Sequence, residues 1–359
     1  MLGEYFSTEY WLYAIITITA ICFVSNVSQS SDRVVYGNHS SSWGWILVIL
    51  SIIYIGLRPL HMYGDSWLYS TMFRLVQTGV WQTLDTAESE WLWNDIEFFF
   101  IDYSTCQMWY LFIAFVYIGF MAWAIKRWIP ENFTTAIIFA FTAMSFHAYA
   151  TNGIRNGMAT SIMMLGMSFL LTEKRRYLPA IICAIAGTAI HSSTAIVAVG
   201  AFLALYFNNA KTNTYIWIFC VLISLVGSDY IVNLMTNIMG SDRMAYYSGL
   251  TENVYQSKGL RYDFILFSSI PIILGWIVCV KNELRDGVYE YILATYTIVN
   301  SGWVLINTIA FSNRFAYLSW FLYPIILAYP FLKFRFMDYQ SRMIGILLLF
   351  NIATIIFLT

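Results

Sequence analysis

Asn152-Gly153-Ile154-Arg155-Asn156-Gly157-Met158-Ala159 leads into an apolar run from Thr160 to Leu171. A basic knot, Lys174-Arg175-Arg176, follows, and a second apolar run stops at His191-Ser192-Ser193. An apolar segment of that length reads as a membrane span, and Lys/Arg clusters beside spans stay on the cytoplasmic side. The knot is then an inner turn, and Arg155 and His191 both sit at the opposite, outer face. A charged arginine where a helix enters the bilayer is either a snorkelling anchor or a site residue.

Working outward, the same kind of run recurs along all 359 residues, of which 59% are hydrophobic and only 11% charged. A soluble protein carries roughly a quarter charged residues. Continuous runs, rather than short alternating segments, exclude a β-barrel. The fold class is therefore all-α, a polytopic inner-membrane helical bundle of about 11–12 spans forming a single transmembrane domain over 1–359. Spans are predicted at about 10–25, 43–57, 107–125, 133–150, 154–171, 178–190, 193–207, 214–234, 263–280, 289–311, 314–332 and 343–358. Glu4 and Glu9 precede the first run, where a cleaved leader would need a basic start. A net charge of −1 points to no nucleic-acid partner, and the five cysteines fall singly, without metal-ligand spacing.

Orientation follows from the basic clusters. Lys126-Arg127, Lys174-Arg175-Arg176, Lys211, Lys281 with Arg285, and Lys333-Arg335-Arg342 are placed inside. The acidic stretch 58–106 and a second stretch at about 236–262 become outer loops. Between the knot and Lys211 the chain must cross an even number of times. The interval 178–207, about 45 Å as one helix, is therefore split at His191-Ser192-Ser193-Thr194 into two short arms that cross twice or dip in and return. The alternative is one long tilted helix that inverts everything downstream.

The outer face then collects Arg58, Arg155, Arg243, Arg261 and Arg314, with Asp65 and His191. Arginines in preference to lysines suit forked recognition of phosphate or carboxylate. A polyprenyl-diphosphate-linked sugar asks for this: an apolar tail in the bilayer, a diphosphate at the interface and a glycan outside. Transfer of its glycan needs charge stabilisation on the departing diphosphate, from the arginines, and a base for the acceptor hydroxyl, from His191 or Asp65. Each residue also has a plainer reading. Arg58 and Arg314 could be interfacial anchors, His191 a polar turn, Asp65 a helix N-cap and Asp242-Arg243 a loop ion pair.

Gly56-Leu57-Arg58 with Gly64-Asp65-x-x-x-Tyr69, then Asn152-x-x-Arg155-x-x-x-Ala159, then Ala189-Ile190-His191-Ser192-Ser193 resembles the EpsG family of exopolysaccharide and O-antigen polymerases (Wzy-type). The likeness spans roughly 45–320, in the family's order. The chain departs at Asn156, where the family often has Gln, and at Ser66, where it often has Thr. The resemblance implies a GT-C-like glycosyltransferase acting at the periplasmic face on undecaprenyl-diphosphate-linked oligosaccharides. Its partners would be membrane lipids and a regulator of chain length; no cofactor is expected, and no metal, since the outer carboxylates of 58–106 lack a tight ligand spacing. Arg58 and Asp65 match the first block, Arg155 the second and His191 the third, with Arg243 and Arg314 matching looser basic positions. An O-antigen ligase shares the donor but uses a lipid A core acceptor. A lipid-linked oligosaccharide flippase would place its charges near the midplane. A membrane O-acyltransferase would leave the arginines unexplained.

Overall fold

A computed structural model describes residues 8–27, 29–37, 39–62, 64–81, 88–171, 175–239, 259–309 and 312–358. The described residues are helical, with no strand among them. The helices are α1 (Thr8–Val27), α2 (Ser31–Tyr36), α3 (Ser42–Gly56), α4 (Gly64–Gln77), α5 (Trp91–Tyr103), α6 (Cys106–Trp128), α7 (Phe133–Phe141), α8 (Met144–Thr151) and α9 (Ile154–Leu170). They continue as α10 (Tyr177–Ile190), α11 (Ala195–Ala204), α12 (Ala210–Met239), α13 (Tyr262–Gly275), α14 (Gly287–Leu305), α15 (Ser312–Trp320), α16 (Tyr323–Lys333) and α17 (Gln340–Leu358). Each predicted span coincides with a helix or helix pair. By length and composition, four segments can each cross a bilayer alone: 106–128, 210–227, 262–281 and 312–333. The pair α7–α8, bent by 69°, makes up to five. Shorter apolar helices lie at Glu9–Ser25, Ser42–Gly56, Tyr177–Ile190, Ser192–Ala204 and Gln340–Ile356, and the chain is a polytopic helical membrane protein.

The stretch 58–106 contains two helices. In α5 the buried positions are Trp93, Glu97 and Ile101, and Glu90 precedes them on the same helical spacing, so one face is buried although the stretch is acidic overall. Most of the predicted outer loop 236–262, including Arg243, lies outside the described residues.

The chain divides into two compact units, residues 1–195 with 327–359, and residues 196–326. In the first, α9 packs between α6 and α10, and α3 lies along α6. Small residues let α9 and α10 approach: a Cβ on Gly187 would stand 2.8 Å from Met163 Cε and 3.1 Å from the Ala159 carbonyl. Thr105 caps α6 by accepting from the Met108 N–H, and Lys126 and Arg127 in its last turn complement the helix dipole. Arg127 donates to the Ser168 carbonyl near the end of α9, Lys333 pairs with Glu131, and Arg335 with Asp32. These cations gather at one end of the α6–α9 pair. Arg58 and Arg155 lie at the other; Arg58 packs on Tyr110, about 25 Å along α6 from Arg127.

In the second unit, Asn300 on α14 joins a buried polar network. It accepts from Trp217 Nε1 at 2.7 Å and donates to Ser268 Oγ at 3.1 Å and Ser319 Oγ at 2.9 Å. Satisfied polar groups of this kind hold apolar helices in register.

Candidate functional site

Helix α10 ends at His191, whose backbone is extended (φ −148°, ψ 109°), and a single 3₁₀ turn, Ser192–Thr194, leads into α11. Neither Gly nor Pro causes the break. Thr194 returns both its N–H and its hydroxyl to the His191 carbonyl, at 3.0 and 2.8 Å, the local competition with helix that hydroxyl residues offer. The predicted split thus falls where the sequence placed it.

Opposite this break stands Glu90, at the end of a 3₁₀ turn (Glu88–Glu90) preceding α5, with its side chain fully buried. Its Oε1 accepts from His191 Nδ1 at 2.9 Å and from the Ser192 N–H and hydroxyl, both at 3.2 Å. Its Oε2 accepts from Arg155 Nη1 at 2.8 Å. One carboxylate therefore ties together Arg155 and His191. Burial by itself would raise its pKa. The His191 hydrogen bond and the Arg155 charge outweigh burial and hold it down at about 2.

Arg155 is the second residue of α9, where a cation opposes the helix dipole. Glu90 compensates, and the guanidinium also lies 5.4 Å from the Tyr69 ring centroid and 5.8 Å from that of Trp93. Its Nε has no hydrogen-bond partner. The Arg155 and His191 side chains each remain 20% exposed while Glu90 is sealed, so the arginine and the imidazole are the members of the cluster a ligand can reach.

A carboxylate only accepts, so His191 Nδ1 carries the hydrogen in that bond and Nε2 of the neutral ring keeps its lone pair. This is the arrangement of an oriented proton acceptor. The neighbouring guanidinium suits a phosphate oxygen.

Arg58 sits deeper, 3% exposed. It donates to the Ile55 carbonyl at 2.7 Å and to Ser66 Oγ at 2.8 Å, with the Tyr110 ring centroid 4.6 Å from its guanidinium. Ser66 in turn donates to the Thr151 carbonyl, just before Asn152-Gly153 and α9. The first sequence block is thereby bonded to the second, and Arg58 braces the chain that presents Arg155. Asp65 is half-buried in the first turn of α4, between this brace and Tyr69. Arg314 is an exposed residue in the first turn of α15, in the second unit. Arg261, also in the second unit, pairs with Asp263 at 2.6 Å. Arg243 lies outside the described residues. Among the described residues no three His, Cys, Asp or Glu side chains are grouped as metal ligands.

Sequence reasoning missed Glu90 and Glu97, which it placed in the acidic outer stretch 58–106 without a role. The signal was their spacing with Trp93 and Ile101, which puts two carboxyl groups on the buried stripe of an amphipathic helix.

Residues 42–359 match the model of the EpsG family. The chain belongs to that family, one of Wzy-like polymerases. No curated protein sequence and no solved structure matches it.

Proposed function

From membership of the EpsG family and the cluster around Glu90, we propose that the protein is a polysaccharide polymerase of the bacterial inner membrane with its active face periplasmic. It transfers a growing polyprenyl-diphosphate-linked glycan en bloc onto the non-reducing end of a new lipid-linked repeat unit. The acceptor oxygen forms a bond to the anomeric carbon, the bond from that carbon to the diphosphate breaks, and undecaprenyl diphosphate leaves.

The observation that carries the reading is the sharing of Glu90 by Arg155 and His191. Arg155 binds the diphosphate, which gains charge as it departs, and its unpartnered Nε and exposed edge leave donors for that anion. His191 Nε2 takes the proton of the acceptor hydroxyl, and Glu90 fixes the tautomer and stabilises the imidazolium that results. That proton then passes to solvent or to the departing diphosphate. Arg58 acts by positioning α9, and Asp65, beside Tyr69, is the second carboxylate on the acceptor side.

The test is single-turnover polymerisation with purified protein and lipid-linked repeat units. His191→Ala and Arg155→Ala should each leave single repeats in place of polymer at normal protein levels. Wild-type rates from both variants would refute the assignment.

A further inference from the structure

The mechanism above gives no role to Glu97, a buried carboxyl on the helix that follows Glu90. Glu97 lies two turns along α5 from Glu90, on the same face, and is 1% exposed. Its Oε1 is buried and has no hydrogen-bond partner, as is true of Arg155 Nε. Arg155 on α9 is the cation whose charge Glu97 feels. The other titratable groups around it are Tyr69 on α4, Cys106 and Tyr110 on α6, and Glu90 at the head of its own helix. Helix α10 brings Cys183 to the same hydrophobic cluster and His191 at its end.

Arg155 thus pairs with Glu90 and lies over the ring of Trp93, one turn before Glu97 on the same face. It is within range of the charge of Glu97. The surroundings of the two carboxyl groups drive them apart. Glu90 has its lone pairs filled by four donors and is ionised. Glu97 is sealed, with Oε1 unpartnered and the Trp93 indole as the side-chain donor beside it, and a carboxylate buried with so few donors takes a proton instead. Burial pushes it up to about 8, with the Arg155 charge offsetting only part of the rise.

We propose that Glu97 is a positioning residue for the polymerase reaction, a neutral carboxyl one turn along α5 from the Trp93 ring that Arg155 covers, whose ionisation would engage the guanidinium and shut out the substrate diphosphate. The proposal rests on the diphosphate role assigned to Arg155. With Glu97 neutral, Arg155 has a single counter-ion and one edge left for an incoming anion. With Glu97 ionised, two carboxylates neutralise the arginine, and a diphosphate arriving beside them meets net negative charge. The effect falls on substrate binding: KM rises on the alkaline side while kcat holds. A carboxyl that only filled space would leave that pH profile unchanged.

The experiment compares wild type with Glu97→Gln, an uncharged side chain of the same shape, in lipid nanodiscs between pH 6.5 and 9.5. Glu97→Met, apolar and of similar length, serves the same comparison if the amide folds poorly. Infrared difference spectra between wild type and variant read the carboxylic-acid C=O band, which needs no ligand. Calorimetry with farnesyl diphosphate reads the anion site. The expected result is an acid band present at neutral pH that fades near pH 8, with wild-type affinity falling roughly tenfold over the range and variant affinity constant within about twofold. Absence of the acid band at neutral pH overturns the proposal, and so does a variant that loses affinity in parallel with wild type. A wild type that shows the band but binds no farnesyl diphosphate at any pH refutes the diphosphate role of Arg155 and, with it, this proposal. The ligand-free band distinguishes that failure from a failure of Glu97 to hold its proton.

Discussion

Replacing Glu90 by glutamine removes one negative charge from a point where four hydrogen bonds converge. The native carboxyl is held from its usual 4.5 down to about 2, which corresponds to about 3 kcal/mol favouring the folded, ionised state at neutral pH. Because the folded pKa is depressed, this stability is present above pH 4.5 and is lost as the pH falls toward 2. Glu90→Gln should therefore melt roughly 5 °C below wild type at pH 7, and the gap should narrow below about pH 4.5. The amide also stops dictating which imidazole nitrogen of His191 carries the hydrogen, so turnover should fall about 10²–10⁴-fold. Thermal unfolding of the detergent-purified protein across pH 3–8, with single-turnover polymerisation at pH 7, measures both effects. A variant that melts within about 1 °C of wild type at pH 7 and turns over within about threefold would refute the shared-carboxylate account.

Arg155→Lys should yield mostly single-repeat glycans at normal protein levels, because a point charge loses the guanidinium fork; exposed Arg74→Lys should polymerise normally. His191→Asn can still donate to Glu90 but has no second ring nitrogen, so its single-turnover rate should fall about 10²–10⁴-fold; retention within about threefold would make His191 a turn residue. A Cβ at Gly157 would stand 2.8 Å from the Tyr149 carbonyl oxygen, so Gly157→Ala should separate α8 from α9, destabilise by about 1–3 kcal/mol and shorten the polymer, read by melting and gel profile. In a background without the five cysteines, a cysteine at exposed Ser89 should react with an impermeant thiol reagent in intact cells, and one at Arg175 only after permeabilisation.

The membrane class and the helices were legible in the sequence, since both depend on local properties: the length of an apolar run and the nearness of lysine or arginine to its end. The break at His191-Ser192-Ser193 was legible for a similar reason, as were Arg155 and His191 as members of ordered sequence blocks. Arg58 was legible as a motif residue but not in its role. Its burial and its bonds to Ile55 and Ser66 exist only once α3, α4 and α6 have met.

Glu90 and Glu97 show where local reading stops. In an acidic stretch read as an outer loop they had no role, although their spacing with Trp93 and Ile101 already placed them on one helical face. The sequence by itself indicated that Arg155 and His191 would lie at the ends of apolar helices, where the structure has them, since hydropathy and charge mark such ends one segment at a time. Only the tertiary structure decided that both would grip one buried carboxylate, 65 and 101 residues away along the chain. The same packing buried a second carboxyl, Glu97, on that helical face with its Oε1 unpartnered. A charge pairs with whatever the folded chain brings within a few ångströms, and that distance is set by how helices pack, not by the order of residues.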